Sequence, residues 1–280
     1  MVMKKTKWNG IGILTFALNT KDCDYEKLAY LMALSYLATN KHPLPLAVVV
    51  NDDKKCFDKL KNVYEHVIPK INNNVVNEMH HEALLLHYSP FAETIKIESD
   101  MLLTCDINHW IKHFRLWDMC FTNTVYDFNN NVADDKKYRK YIKLNNLPNI
   151  YNGIMYARYC KNTYQFYNHV NFIFNNWQKQ IQKYRMFDNF PASTDFAMAM
   201  ACNEIKDLNF GHNPTGLPGF IHAKPWITHR SEQPWHKEMK WSIVDPCTVI
   251  VNGIKADWPV HYYDKHFCTE KLIEQYEEAI

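Results

Sequence analysis

Two carboxylates stand one residue apart in Glu98-Ser99-Asp100, directly after the strand-like run Thr94-Ile95-Lys96-Ile97 and directly before Met101-Leu102-Leu103. Acids inside an apolar run are costly to bury unless they are paired or hold a cation. An acid-x-acid triplet leaving a buried strand would present both groups to the crevice where open α/β sheets gather ligands. Hard divalent ions such as Mn²⁺ or Mg²⁺ take oxygen ligands and share them with substrate phosphates. Such an ion also stabilises a departing phosphate. The plainer alternative is two surface acids at a strand end. A further acid, Asp195 in "FPASTDFAMAM", falls at a helix start after Ser193-Thr194. The helix dipole holds a carboxylate there ionised, the state needed to take a proton from an attacking hydroxyl. Helix capping alone is the alternative, and Asp188 is a second acid for the same task. His80-His81, His109 and His113 lack Cys or Asp partners at ligand spacing, so core or surface roles are expected.

These groups need a scaffold. Ile11 to Phe16 reads as a buried strand, Asn19 to Asp24 as a polar loop, and Tyr25 to Ala38 as a helix with an apolar stripe. Leu46-Ala-Val-Val-Val50 is a second buried strand. Strand, helix, strand in so short a span is a βαβ unit, which implies a mostly parallel sheet with helices on its faces. Further helices are expected at Cys56–His66, from Asp106, at Thr163–Arg185 and at Asp195–Glu204. Further strands are expected at Glu93–Ile97 and Ile150–Tyr156. The charged segment Asp134–Lys143 reads as a solvated helix or loop, and 211–219, rich in Gly and Pro, as a loop. Asn252-Gly253 marks a hairpin, and a short helix closes the chain from Thr269. The expected organisation is one main domain over 1–227 with an extension over 228–280 packed on it.

Composition sets outer limits. The 280 residues can bury a sizeable core, and 47% hydrophobic and 14% aromatic content exclude a disordered chain. The net charge of +2 permits a polyanionic partner without requiring one. The eight cysteines form no CxxC pair, which favours free thiols in a reducing cytosol over a disulfide framework or structural zinc. No signal peptide and no membrane-spanning run are expected. Abundant Lys, Asn, Tyr, Phe and Ile, with scarce Gly and Arg, hint at an AT-rich genome.

The chain resembles the A-type, Rossmann-like glycosyltransferases that use nucleotide-sugars, and most the glycogenin and lipopolysaccharide galactosyltransferase group. Four segments occur in that group's order: "TFALNTKDCDYEKLAYLMALSYLATN", "IKIESDMLL", "IYNGIMYAR" and "FIHAKPW". They are similar to its base-binding start, its acid-x-acid metal motif, its "FNAGVM" strand beside the sugar pocket and its late His…Lys-Pro-Trp element. The resemblance makes Glu98, Asp100 and His222 ligands of Mn²⁺ or Mg²⁺. It makes Thr15, Asn19, Tyr25, Ser99, Asn152 and Lys224 donor contacts, with Asn152 at the sugar and Lys224 at a phosphate. The first acid is Glu where the group usually has Asp, and "HAKPW" has a shorter spacing than the group's.

Three segments mix cations with rings: "KKYRKYIK", "NWQKQIQKYR" and "KPWITHRSEQPWHKEMKW". That composition suits a groove that tracks phosphates and stacks bases, or a solvated helix face. Lys136, Lys137, Arg139, Lys183, Arg185 and Arg230 are its candidate DNA contacts. The whole chain resembles the T-even bacteriophage enzymes that glucosylate hydroxymethylcytosine in DNA, especially those adding a second glucose to form a gentiobiosyl group. The resemblance implies UDP-glucose as donor and double-stranded DNA bearing glucosylated hydroxymethylcytosine as acceptor. A β-linked product from an α-linked donor requires inversion, hence a base such as Asp195. A transferase acting on lipopolysaccharide or another glycan is one alternative. A non-catalytic DNA-binding module on this fold is the other.

Overall fold

Leu46-Ala-Val-Val-Val50 offers no side chain suited to water, and all five residues are buried. A strand of this kind needs cover on both faces. The computed structural model describes residues 10–71, 75–133, 139–187, 189–206, 208–212, 217–227 and 231–280. Its strands are β1 (Ile11–Ala17), β2 (Leu46–Val50), β3 (His66–Pro69), β4 (Glu93–Ile97), β5 (Met101–Leu102), β6 (Met119–Thr122), β7 (Thr124–Tyr126), β8 (Val132–Ala133), β9 (Tyr151–Arg158), β10 (Phe210–His212), β11 (Gly219–His222), β12 (Trp241–Asp245), β13 (Thr248–Val251), β14 (Ile254–Lys255) and β15 (Val260–His261).

Seven strands form the main sheet in the order β10-β6-β9-β4-β1-β2-β3. Within it β9 runs antiparallel to both neighbours, and the other pairings are parallel. Side chains alternate across a strand, and the sequence uses both faces. Ile13, Val48, Val50, Ile95 and Ile97 enter one core with the helix Tyr25–Thr39. Leu14, Phe16, Ala47 and Val49 enter another with the helices Lys161–Asn175 and Thr194–Glu204. The helix Tyr25–Thr39 is buried on most sides, because the C-terminal helix Glu270–Glu277 covers its outer face. Lys27–Glu270 and Lys59–Glu277 ion pairs border that contact.

A second sheet, ordered β5-β15-β11-β7-β8, lies beyond the ends of β4 and β9. Its middle strands come from distant parts of the chain, with β15 seated between β5 and β11. A third sheet holds β12, β13 and β14. Its β13–β14 turn is the expected Asn252-Gly253, with φ of 50° and 83°, the left-handed pair that a two-residue hairpin requires.

Two expected helices differ. Cys56–His66 yields only the helical turn Leu60–Val63, and His66 already opens β3. Thr163–Arg185 divides into Lys161–Asn175 and Trp177–Lys183. At Asn176 the side-chain amide donates to the Phe172 carbonyl at 2.9 Å, competing with the helix ladder. A further helical stretch, Glu78–Leu84 in 3₁₀ form followed by Leu85–Tyr88, was not expected and carries part of the site. It buries His80 and His81, whose rings bond Asn171 and Tyr88. The helix starting at Thr194 has Ser193 as its cap residue, in line with the sequence.

Candidate active site

Strand β4 ends at Ile97, and the chain then turns through Glu98-Ser99-Asp100 into β5. The Glu98 amide donates to the Gly153 carbonyl at 2.9 Å, which ties the turn to β9. A Cβ on Gly153 would meet the Phe220 ring at 2.6 Å, so glycine permits the close packing of β9 on β11. Across β5, His261 of β15 stands opposite Met101, and His222 of β11 stands opposite His261. Cross-strand partners share a face, so the register brings both imidazoles into one row, and the turn before β5 places Asp100 against His261.

That row contains the main departure from the sequence reading. The acids and one histidine converge, with ligand atoms of Glu98, Asp100 and His261 all within 4.8 Å of one another. His261 Nε2 lies 2.8 Å from Asp100 Oδ2 and 3.5 Å from Glu98 Oε2. His222 stands behind: its Nδ1 is 2.8 Å from His261 Nδ1, and the rings stack at 4.8 Å. Position 222, expected as a ligand, thus falls outside the trio; His261 stands beside the acids, with His222 behind it. Burial, then His261 and Lys224, hold the His222 imidazole well below its ordinary pKa, so it is neutral near pH 7. A neutral His222 ring nitrogen can accept one hydrogen bond from His261 Nδ1, which fixes the orientation of the outer ring.

Lys265, four residues after His261, bonds Asp100 Oδ2. Burial alone would raise the Asp100 carboxyl, but His261 and Lys265 outweigh it and hold it well below the usual carboxylate range. Asp100 is 4% exposed, so its charge rests on these partners. Two carboxylates and an imidazole form a donor set suited to Mn²⁺ and acceptable to Mg²⁺. The set fits the cation that the sequence implied.

Two cavities adjoin the trio. The larger, about 430 Å³, has Phe16, Leu18, Tyr25, Ser99, Asp100 and Lys265 in its walls. The smaller, about 210 Å³, is lined by Tyr151, Asn152, Asp195, His222 and Lys224. Met79, Glu82, Glu98, His261 and Tyr263 belong to both walls. Tyr263 is 42% exposed with φ of 60°, a left-handed conformation uncommon for a bulky residue. The Lys224 and Lys265 ammonium groups lie 5.7 and 5.8 Å from its ring centre.

Of the expected donor contacts, Tyr25, Ser99, Asn152 and Lys224 line these cavities. Thr15 does not, because it sits fully buried within β1. Nor does Asn19, whose Oδ1 accepts the Glu26 amide at 3.0 Å and so serves the turn before the first helix.

Asp195 is committed on both oxygens. Oδ2 pairs with Arg139 at 2.5 Å, and Oδ1 accepts the Asn152 amide at 2.9 Å. Burial pushes this carboxyl up, while Arg139 pulls it down. Arg139 is corrected as a DNA contact. It is 1% exposed, donates to Ile150 and stacks 3.8 Å from the Tyr151 ring centre. Lys183 is exposed but paired with Glu204 at 2.6 Å, and Arg185 follows in a left-handed turn. Lys136, Lys137 and Arg230, together with Asp188, lie outside the described residues.

Sequence reasoning passed over Glu82, Lys96, His261, Tyr263 and Lys265. The signal for the last three was the spacing His261-x₃-Lys265 in "VHYYDKHF". Lys96 was a lone cation inside a strand of buried residues. Its ammonium, 1% exposed, contacts the Asn152 carbonyl at 2.9 Å, Glu82 at 3.2 Å and Glu98 at 3.6 Å.

No protein-family model and no curated protein matches the sequence. Among solved structures, the chain is similar to an active-site mutant of LgtC, at 11% identity and a TM-score of 0.50, over 96% of this chain and 94% of that one. It is also similar to mouse xyloside xylosyltransferase 1, at 11% identity and 0.47 over 72% and 84%. A third likeness is to GlyE, a glycosyltransferase of Streptococcus pneumoniae, at 11% identity and 0.45 over 74% and 46%. The fold is that of the A-type glycosyltransferases: a large, mostly parallel sheet flanked by helices. No helix among the described residues is long and apolar enough to cross a membrane.

Proposed function

We propose that this protein is a metal-dependent glycosyltransferase that moves glucose from UDP-glucose to a glucose already carried by hydroxymethylcytosine in double-stranded DNA. The observation that carries the reading is the convergence of Glu98, Asp100 and His261 beside a 430 Å³ cavity. The site lies at the C-terminal ends of parallel strands, where this class of sheet receives nucleotides. Glu98, Asp100 and His261 would hold Mn²⁺ or Mg²⁺, and the bound ion supplies charge that stabilises the leaving diphosphate. Lys265 and Lys224 add ammonium charge at the same end of the donor. Tyr25 and Ser99 line the nucleotide side, and Asn152 faces the sugar.

The acceptor proposal draws support from Lys224, the exposed Tyr263 ring and Trp226, which is 63% exposed. Cations interleaved with rings suit a sugar displayed on a polyanion. Lys183, Arg185, Lys136, Lys137 and Arg230 are the proposed phosphate contacts. A glucose projecting into the major groove needs no base flipping. Inversion at the transferred carbon is proposed with it.

The test is a reaction of UDP-glucose and Mn²⁺ with preglucosylated, hydroxymethylated DNA, read by mass. One added hexose per modified base is expected. Asp100→Ala should lower turnover by roughly a hundredfold or more, because a metal at the diphosphate is worth several kcal/mol. Transfer only to free oligosaccharide would overturn the DNA acceptor. Absence of UDP binding with Mn²⁺ would overturn the whole reading.

A further inference from the structure

A transfer with inversion needs an oxygen acceptor for the proton of the attacking hydroxyl, placed where donor and acceptor meet. The two cavities meet at Met79, Glu82, Glu98, His261 and Tyr263. Of these, Met79 cannot take a proton. Glu98 and His261 belong to the cation site. Tyr263 is exposed, and its ring lies beside the Lys224 and Lys265 ammonium groups. Asp195, in the smaller cavity, has both oxygens engaged by Arg139 and the Asn152 amide. Protonating it would break a buried ion pair, which is costly.

Glu82 remains. Its Oε2 accepts the Asn152 side-chain amide and faces Lys96. No hydrogen bond among the described residues engages its Oε1. The 3₁₀ segment Glu78–Leu84 that carries it is anchored at its N-terminal end and continues directly into the turn Leu85–Tyr88. Asn77 Oδ1 accepts the His80 amide at 3.1 Å, and Lys70 pairs with Glu78 at 3.1 Å. The carboxylate is thus held in place rather than carried on a loose loop.

The geometry points to Glu82 as the proton acceptor of the transfer, an inference that rests on the glycosyltransferase reading above. The acceptor oxygen forms a bond to the anomeric carbon of the donor sugar. The bond from that carbon to the β-phosphate oxygen breaks, and its electron pair leaves with UDP. The hydroxyl proton passes to Glu82 Oε1. Lys96 then stays paired with Glu98 and the Asn152 carbonyl, so the neutralised Glu82 does not leave an unpaired buried ammonium. Burial raises the Glu82 carboxyl above its ordinary value, against the opposing pull of Lys96, which makes it a stronger proton acceptor.

The experiment compares Glu82→Gln, Glu82→Ala and Asp195→Ala with the wild type. UDP binding with Mn²⁺ is measured by calorimetry. UDP release from UDP-glucose is measured with water and with preglucosylated, hydroxymethylated DNA as acceptors, with and without sodium formate. Glu82→Gln keeps the shape and the Asn152 contact, so it should bind UDP as the wild type does. It should lose about 10²–10⁴-fold in kcat with little change in KM. Formate should restore turnover to Glu82→Ala, and not to Asp195→Ala. Wild-type-like turnover in Glu82→Gln would overturn the inference. So would loss without formate rescue, which would make Glu82 a positioning residue, or rescue confined to Asp195→Ala. A wild type that binds no UDP defeats the underlying reading, and the inference falls with it.

Discussion

The Asp100 carboxylate has three partners: His261, Lys265 and, when present, a cation. Its burial is tolerable because none of its charge is left alone. His222 shows how far the site extends behind its ligands. It reaches no carboxylate of the trio, yet its Nδ1 fixes the His261 ring through a 2.8 Å contact. Partners of this type tune metal affinity through the orientation of the ligand they hold. His222→Ala should therefore weaken Mn²⁺ binding by about 10–100-fold while leaving the fold intact. Calorimetric titration with Mn²⁺, alongside a thermal melt, checks both halves. Unchanged affinity would show that His261 is oriented by Asp100 alone.

Strand β9 is the element on which the site most depends. Its N-terminal end supplies Asn152 and accepts the Glu98 amide through Gly153. Its C-terminal end is held by charge. Arg158 pairs with Asp118 Oδ1 at 2.5 Å, and Asn162 donates to Asp118 Oδ2 at 2.8 Å. Burial would raise the Asp118 carboxyl, but Arg158 and Asn162 hold it below its ordinary value. A depressed folded pKa means that the unfolded chain binds the proton more readily. The stabilisation is then full above the unfolded value of about 3.9 and is lost as pH falls through the folded value. Asp118→Asn should cost about 1–2 kcal/mol at neutral pH, and the gap to wild type should close below about pH 3. Denaturant melts across that range measure it. A gap that persisted in acid would mean that Asp118 acts through packing and not through charge.

At the scale of the whole molecule, the site is assembled from both ends of the chain. Glu98 and Asp100 leave a strand of the first half, while His261 and Lys265 lie within the last twenty residues of the 280. Strand β15 fills the gap between β5 and β11. The helix Glu270–Glu277 covers the helix Tyr25–Thr39, where Tyr30 donates to Glu277 at 2.8 Å. A chain ending at residue 227 would leave β5 and β11 without their shared neighbour and expose one side of a buried helix. It should lose Mn²⁺-dependent UDP binding and expose apolar surface, seen as dye binding and aggregation. Retained UDP binding in that shortened chain would contradict the placement of His261 and Lys265.

The sequence by itself determined the elements whose signals are local. The βαβ start was legible from five consecutive apolar residues in β2 and from the helical stripe before it. The Asn252-Gly253 hairpin was legible from turn chemistry, and the acid-x-acid turn from two charges in an apolar run. Fold class followed, since period and run length state which surfaces must be buried. Only the tertiary structure decided which histidine joins the acids, because that depends on the pairing of β5, β15 and β11 across some 160 residues of chain. The local spacing His261-x₃-Lys265 does not by itself say that this histidine, and not His222, meets the acids. It also decided that Arg139 is a buried partner of Asp195 and not a surface cation, and that Glu82 and Lys96 meet between the two cavities. Side-chain partners far apart in sequence are fixed by sheet register, and register is set by the whole core at once.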